Sequence, residues 1–155
     1  MSILSKITSG KRGRAQKVVI YAPEGFGKST LASLFPNPLF LDVEDSTSQL
    51  NVARLSRSDL PDLKAFESAL SEIIKARACS TLVVDTIDWL EQMALDAVIA
   101  EANNPKIQGI EDFGYGKGYT VLKERVTLLL ARFDAVIAAG TTVVLLAHSK
   151  VVKFE

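Results

Sequence analysis

The chain has 155 residues, 48% of them apolar, and its 18 basic residues balance 18 acidic ones. This length is enough for one domain with a buried core, and the composition is that of a folded α/β protein rather than a disordered chain. The single cysteine, Cys79, excludes a disulfide framework and a cysteine-based metal site. No segment has the form of a secretory signal or a membrane span, so we expect a cytoplasmic protein without membrane contact.

Residues 1–16 are predicted to form a flexible arm that carries positive charge. Five basic residues and no acidic one occur up to the start of the first predicted strand: Lys6, Lys11, Arg12, Arg14 and Lys17. A basic arm on a more acidic body can contact nucleic acid, and the alternative is a solvated terminus without a partner.

The rest of the chain, residues 17–155, alternates between strand-like and helix-like patterns. The predicted strands are 17–21, 39–43, 51–55, 81–85 and 141–147. The predicted helices run from 27 or 28 to about 35, and over 61–78, 86–103 and 119–139. Residues 104–118 contain four glycines and are predicted to form a long loop. Strands that alternate with helices predict a parallel β-sheet flanked by helices.

A phosphate-binding loop follows the first predicted strand. Residues 22–29, APEGFGKS, match G-x-x-x-x-G-K-[ST] except that Ala22 replaces the first glycine. In this motif, backbone N–H groups and a helix N-terminus hold phosphate oxygens, the lysine contacts the β- and γ-phosphates, and the serine hydroxyl binds Mg²⁺. We therefore predict binding of ATP with Mg²⁺. The expected nucleotide-binding residues are Glu24, Gly25, Phe26, Gly27, Lys28, Ser29 and Thr30, and Ser29 is also an expected metal ligand.

Acidic residues end two of the predicted strands. Asp85 ends an apolar strand of Walker B form, where its carboxylate can hold the magnesium ion or, alternatively, cap the next helix. Asp42, Glu44 and Asp45 lie at the end of the second strand, and alternation places Asp42 and Glu44 on the same side. Hydrolysis needs a carboxylate that orients water, and we assign this role to Glu44. The alternative for these three residues is an exposed acidic strand end.

Other candidates lie at the end of the last strand and in the glycine-rich loop. His148, the only histidine, can contact the γ-phosphate and report its loss, or it can be a structural residue at the sheet edge. Tyr115, Lys117 and Tyr119 combine aromatic rings with positive charge, which suits single-stranded DNA. The alternative is a glycine-rich helix start with exposed tyrosines.

Four segments, in this order, resemble the RecA-like ATPases, particularly the phage-encoded AAA-type ATP-binding, single-strand annealing and recombination ATPases. Residues 21–30, YAPEGFGKST, resemble the family's phosphate loop, and 40–44, FLDVE, resemble the strand that ends in its catalytic glutamate. Residues 82–85, LVVD, resemble its Walker B strand, and 143–148, VVLLAH, resemble the strand that ends in its γ-phosphate sensor. The resemblance implies a P-loop NTPase fold of the RecA-like (ASCE) type.

The resemblance also implies roles and partners. Glu44, Lys28 and His148 are the expected catalytic residues, and strand 141–147 is expected between strands 17–21 and 81–85. In the family the fold continues past the sensor strand into a DNA-contacting loop. Lys150, Val151, Val152 and Lys153 would be only its beginning, so we expect residues 17–155 to be an ATPase domain that is incomplete at its C-terminal end.

The predicted function is therefore ATP hydrolysis coupled to single-stranded DNA in phage recombination, annealing or replication, in the cytoplasm of the bacterial host. No arginine finger is evident, and a neighbouring subunit often completes the site in this family, so a ring or filament of identical subunits is one possible assembly and the sequence does not determine the oligomeric state. Two alternatives remain: a nucleotide-dependent assembly switch with a protein partner, and a small-molecule P-loop kinase. A kinase needs clustered arginines, and only Arg125 and Arg132 lie between Asp85 and the last strand.

Overall fold

Five parallel strands form one sheet in the computed structural model of the chain, which describes residues 2–150. The strands are β1 (Lys17–Ala22), β2 (Pro38–Asp42), β3 (Ala53–Ser56), β4 (Thr81–Asp85) and β5 (Thr142–His148). Their order across the sheet is β1-β5-β4-β2-β3, and every neighbouring pair is parallel. The predicted parallel sheet is thus confirmed, and β5 lies between β1 and β4, as the resemblance implied. Val151, Val152 and Lys153 lie outside the described residues.

Within residues 2–150, four α-helices connect or flank the strands. They are α1 (Lys28–Ala32), α2 (Leu63–Ala76), α3 (Ile87–Glu101) and α4 (Lys117–Ala138). Helix α1 ends earlier than predicted, because Leu34 and Phe35 donate to carbonyls three residues back and tighten the chain into turns before Pro36. None of the helices found in residues 2–150 is both long enough and apolar enough to cross a membrane.

The predicted loop 104–118 is partly helical. A 3₁₀ helix spans Ile110–Phe113, and α4 begins at Lys117, two residues before the predicted start. Gly118 packs so closely on this 3₁₀ helix that a Cβ atom built on it would lie 2.3 Å from the Ile110 carbonyl oxygen. The absence of a side chain at Gly118 therefore allows the loop to pack on the first turn of α4.

The two faces of the sheet are covered unequally. Alternate residues of the central strands, among them Leu41, Val84 and Leu145, pack under α2, α3 and α4 on one face. The opposite face is covered by α1, whose Ala32 is fully buried. Strand β1 lies at one edge of the sheet among the described strands, and its side chains Val19 and Tyr21 are 61% and 65% exposed.

The sheet brings the ends of distant strands together. Because all five strands are parallel, their carboxyl ends lie at one edge, which is where ligands bind in open α/β sheets. Ala22, Asp42, Asp85 and His148 end β1, β2, β4 and β5 at this edge. By contrast, residues 2–14 are not part of the sheet, and every one of them is exposed. This segment contains a short 3₁₀ helix at Ile3–Lys6.

Candidate nucleotide-binding site

The phosphate loop joins β1 to α1 through two left-handed glycines. Gly25 and Gly27 have φ values of 78° and 80°, a region that residues with a Cβ rarely adopt. Gly27 is also the residue that precedes the first turn of α1. Ala22, which replaces the usual first glycine, is the last residue of β1 and keeps strand geometry. The substitution is therefore compatible with the loop.

Lys28 lies at the start of α1 and is 7% exposed. Its Nζ donates to the carbonyl oxygens of Ala22 at 3.1 Å and Pro23 at 3.0 Å. A buried ammonium needs partners of this kind, because an unpaired charge in the protein interior is strongly unfavourable. The ammonium is thus held against the loop.

Ser29 and Asp85 meet across the site, although 56 residues separate them in the chain. The Ser29 hydroxyl donates to Oδ2 of Asp85 at 2.6 Å, and the Ser46 hydroxyl lies 3.3 Å from the same oxygen. Burial raises the pKa of Asp85, the Ser29 hydrogen bond opposes this, and the charges of Asp42 and Glu44 raise it further.

The donor set at this point suits a hard cation. Ser29 and Asp85 are the two expected metal ligands, and both offer oxygen, as Mg²⁺ requires. Within residues 2–150, no group of three or more His, Cys, Asp or Glu side chains is arranged to hold a metal ion. At phosphate sites Mg²⁺ is commonly held by one or two protein oxygens together with the phosphates and water, and Ser29 and Asp85 would supply two such oxygens.

The three acids at the end of β2, Asp42, Glu44 and Asp45, occupy different environments. The buried carboxylate of Asp42 accepts hydrogen bonds from the backbone N–H groups of Ser46 and Thr47, each at 3.0 Å. These bonds stabilise the turn of the chain that follows β2. Glu44 lines the cavity, and its N–H donates to the Asp85 carbonyl at 3.0 Å. Asp45 is exposed and has a φ of 64°. Since β2 ends at Asp42, strand alternation does not extend to Glu44, which is the acid that faces the site.

A neighbouring arginine holds the segment that carries Glu44. Arg57 Nη1 donates to the Val43 carbonyl at 2.9 Å, and the guanidinium lies 4.7 Å from the centre of the Trp89 ring. Trp89 belongs to the first turns of α3, so Arg57 ties the Glu44 segment to that helix. No local pattern in the sequence predicts this contact.

His148 lies between two carboxylates at the end of β5. Its Nε2 is 3.8 Å from Glu44 Oε1, and its Nδ1 is 3.4 Å from Asp88 Oδ2. The same Asp88 oxygen accepts the backbone N–H of His148 at 2.9 Å. Asp88 was not among the predicted site residues, because nothing in the sequence relates the first turn of α3 to a histidine 60 residues away.

These residues surround one cavity of about 280 Å³. The lining consists of Glu24, Gly25, Gly27, Lys28, Ser29, Thr30, Glu44, Ser46, Gln49, Leu50, Asp85 and His148. Of the residues predicted to bind nucleotide, Phe26 alone is missing from this lining. Its side chain is 75% exposed, because the loop turns it outward between the two left-handed glycines. Sequence reasoning missed Ser46, Gln49 and Leu50, whose position depends on how the loop after β2 folds back around Asp42.

The predicted DNA-contacting residues are not part of this cavity. Tyr115 is fully exposed at a φ of 51°, between Gly114 and Gly116, which also have positive φ. The Tyr119 hydroxyl donates to Glu111, which raises the pKa of Tyr119. Lys117 is exposed at the start of α4. Lys150 is exposed and lies two residues after His148, so among the DNA candidates it is the one next to the cavity in the sequence.

A left-handed glycine loop between a strand and a helix, with its serine bonded to an acid from a strand two places away in the same parallel sheet, defines a P-loop nucleotide-binding domain. The chain belongs to a family of such domains: a family model described as AAA domain matches residues 14–155. A comparison with curated proteins found no match.

Proposed function

We propose that this protein binds MgATP and hydrolyses it. The observation that carries the proposal is the hydrogen bond between Ser29 and Asp85 at the phosphate loop, in the same cavity as the carboxylate of Glu44. A phosphate-binding loop, a pair of metal-binding oxygens and a carboxylate for water are the parts that phosphoryl transfer to water requires.

Each residue then has a definite role. The N–H groups of the loop and the N-terminus of α1 hold the phosphates, and Lys28 exchanges the carbonyls of Ala22 and Pro23 for phosphate oxygens. Bound Mg²⁺ would be held by Ser29 and Asp85 and would neutralise charge on the phosphates. Glu44 orients and polarises the attacking water, and His148 contacts the reacting end of the nucleotide.

Phosphate release measures this function directly. We expect the purified chain to release phosphate from ATP in the presence of Mg²⁺ and to stop when the metal is chelated. Tight binding of MgATP without any turnover would contradict hydrolysis and support the assembly switch.

The contacts of Arg125 and Arg132 favour an ATPase over a small-molecule kinase, which would need arginines at the site. Arg125 pairs with Glu101, and Arg132 lies 3.3 Å from Glu67, so both are engaged on the helical face of the domain. In residues 2–150, no arginine lines the cavity. A homo-oligomer in which a neighbouring copy supplies a cation therefore remains part of the proposal.

Single-stranded DNA is the proposed partner of the hydrolysis cycle. Support comes from the exposed ring of Tyr115, the exposed ammonium groups of Lys117 and Lys150, and the basic arm. Aromatic rings stack on bases and lysines contact phosphates without regard to sequence, which suits recombination, annealing or replication. The test is whether DNA binding depends on ATP and whether DNA changes the rate of phosphate release. A protein that hydrolyses ATP with no response to DNA would contradict this part alone.

A further inference from the structure

A single carboxylate oxygen is bonded to the backbone of His148 and lies close to its ring. Asp88 Oδ2 accepts the backbone N–H of His148 at 2.9 Å and lies 3.4 Å from the ring atom Nδ1. Asp88 belongs to the first turn of α3, three residues after Asp85. The end of β5 is thus bound through its backbone to the helix that follows the Walker B strand, and the His148 ring lies beside the same carboxylate.

This contact determines which nitrogen of the ring faces the site. An ionised carboxylate only accepts hydrogen bonds, so the approach of Asp88 Oδ2 to 3.4 Å favours hydrogen on Nδ1, the ring nitrogen beside it. Nε2 then faces Glu44 Oε1 at 3.8 Å. That distance is too long for a direct hydrogen bond and is one at which a bridging water should be considered.

A water between these two atoms would be held by two acceptors. In the neutral ring with hydrogen on Nδ1, Nε2 offers a lone pair, as Glu44 does. One hydrogen of the water goes to Glu44 and the other to His148, and a lone pair on the water oxygen stays available for attack on the γ-phosphate. A ring with hydrogen on Nε2 would instead point a hydrogen at the water oxygen or at Glu44, which removes this arrangement.

We propose that Asp88 is a positioning residue for hydrolysis: it fixes the hydrogen of His148 on Nδ1 and turns Nε2 toward the water that Glu44 activates. The proposal rests on the proposed ATPase function. Asp88 does not line the cavity and acts through His148. A purely structural role for Asp88, as a tie between α3 and β5, is the alternative that the experiments must separate.

Nuclear magnetic resonance of the imidazole nitrogens tests the geometry without any need for turnover. His148 is the only histidine of the chain, so its two ring nitrogens give an unambiguous pair of signals. We expect hydrogen on Nδ1 in the wild type and a shift toward hydrogen on Nε2 in Asp88→Ala. A wild-type ring with hydrogen on Nε2 would overturn the proposal even if the protein proves to be an active ATPase.

A double-mutant cycle tests the function of the contact. Asp88→Ala should lower kcat about tenfold, the loss expected for one hydrogen bond of this kind, while the affinity for ADP stays unchanged. In a His148→Ala background, Asp88→Ala should cause no further loss, because the ring through which it acts is gone. Equal losses in both backgrounds would assign Asp88 a structural role and overturn the proposal, as would an unchanged kcat in the wild-type background.

Two further variants complete the design. Asp96→Ala removes an exposed acid from the same helix, one whose contact is with Gln92, and should leave both measurements unchanged. Asp88→Asn keeps an oxygen that can accept from His148, so it should retain hydrogen on Nδ1 and lose less activity than Asp88→Ala. This variant also decides the matter if Asp88→Ala does not fold, since a folded Asp88→Asn protein with hydrogen on Nε2 would count against the proposal. If the wild type shows the expected ring state but no hydrolysis, the ATPase function fails and the positioning role in hydrolysis fails with it, while the Asp88–His148 contact stands.

Discussion

The hydroxyl of Ser29 donates to a carboxylate oxygen of Asp85 that is buried among other acids at the end of the sheet. In the free protein this hydrogen bond partly compensates an ionised group whose solvation has been lost. Mg²⁺ would compensate it far more fully, because a divalent cation is a much larger local charge than a hydroxyl dipole. Removing the charge of Asp85 is therefore expected to stabilise the nucleotide-free protein against unfolding and to weaken its binding of Mg²⁺.

Asp85→Asn should raise the thermal unfolding midpoint of the nucleotide-free protein at neutral pH and abolish Mg²⁺-dependent nucleotide binding. Burial raises the pKa of Asp85, so the stability associated with its protonated form is present below the unfolded pKa and is lost as pH rises through the folded pKa. The variant's advantage should accordingly shrink as pH falls toward 3.8, the ordinary value for this carboxyl. Thermal melts at several pH values check this, and a lower midpoint for Asp85→Asn at neutral pH would contradict it.

Lys28→Ala should weaken ATP binding by about 100-fold, the loss expected when a charged hydrogen-bonding partner is removed. Isothermal titration calorimetry with MgATP measures this. Lys64→Ala is the matched control, because Lys64 is an exposed lysine of α2 outside the cavity. Equal affinities for both variants would show that nucleotide, if bound, is held elsewhere.

Glu44→Gln should keep MgATP affinity and lower phosphate release by about 10²- to 10⁴-fold, because the amide keeps the size of the side chain but is not a base. The control is Asp45→Asn, since Asp45 is exposed and asparagine tolerates its left-handed backbone. Turnover that survives in Glu44→Gln and falls in Asp45→Asn would transfer the catalytic role to Asp45.

Tyr115→Ala and Lys117→Ala should each weaken binding of a labelled oligothymidylate measured by fluorescence anisotropy. Lys117→Ala should also flatten the salt dependence by about 0.7 log units per log unit of salt, the value for one phosphate contact on a single strand. Tyr115→Ala should leave that slope unchanged, because stacking releases no counterions. The control is Tyr21→Ala, because Tyr21 is also an exposed tyrosine but lies on β1. The absence of any salt-sensitive binding by the wild type would remove DNA as the partner.

The sequence predicted those parts of the molecule that depend on local patterns. Asp85 and His148 were expected at strand ends because apolar runs stop at them, and the structure places both there. The position of β5 between β1 and β4 was predicted from the family resemblance, because the hydrophobic pattern of a strand does not indicate which strands lie next to it. Contacts across the fold were not predictable in this way: Asp88 reaches His148 only because α3 and β5 meet at the same edge of the sheet.

Helix boundaries show the same limit. The glycines before Tyr119 disfavour helix, and the sequence therefore predicts that α4 starts at Tyr119, yet the helix begins at Lys117 and includes Gly118. What offsets that preference is the packing of Gly118 on Ile110, a contact between a loop and a helix. Local propensity therefore yielded to tertiary packing at this position.

The uncovered side of β1 has a practical consequence for work with the purified protein. Among the described strands β1 pairs with β5 alone, so its outer backbone N–H and C=O groups are free, and Val19 and Tyr21 lie exposed beside them. Such an edge is a template for pairing with another extended chain. We expect the protein to associate through this strand, so light scattering should increase with protein concentration. Val19→Lys should suppress the increase, since a charge on an edge strand disfavours pairing with a further strand.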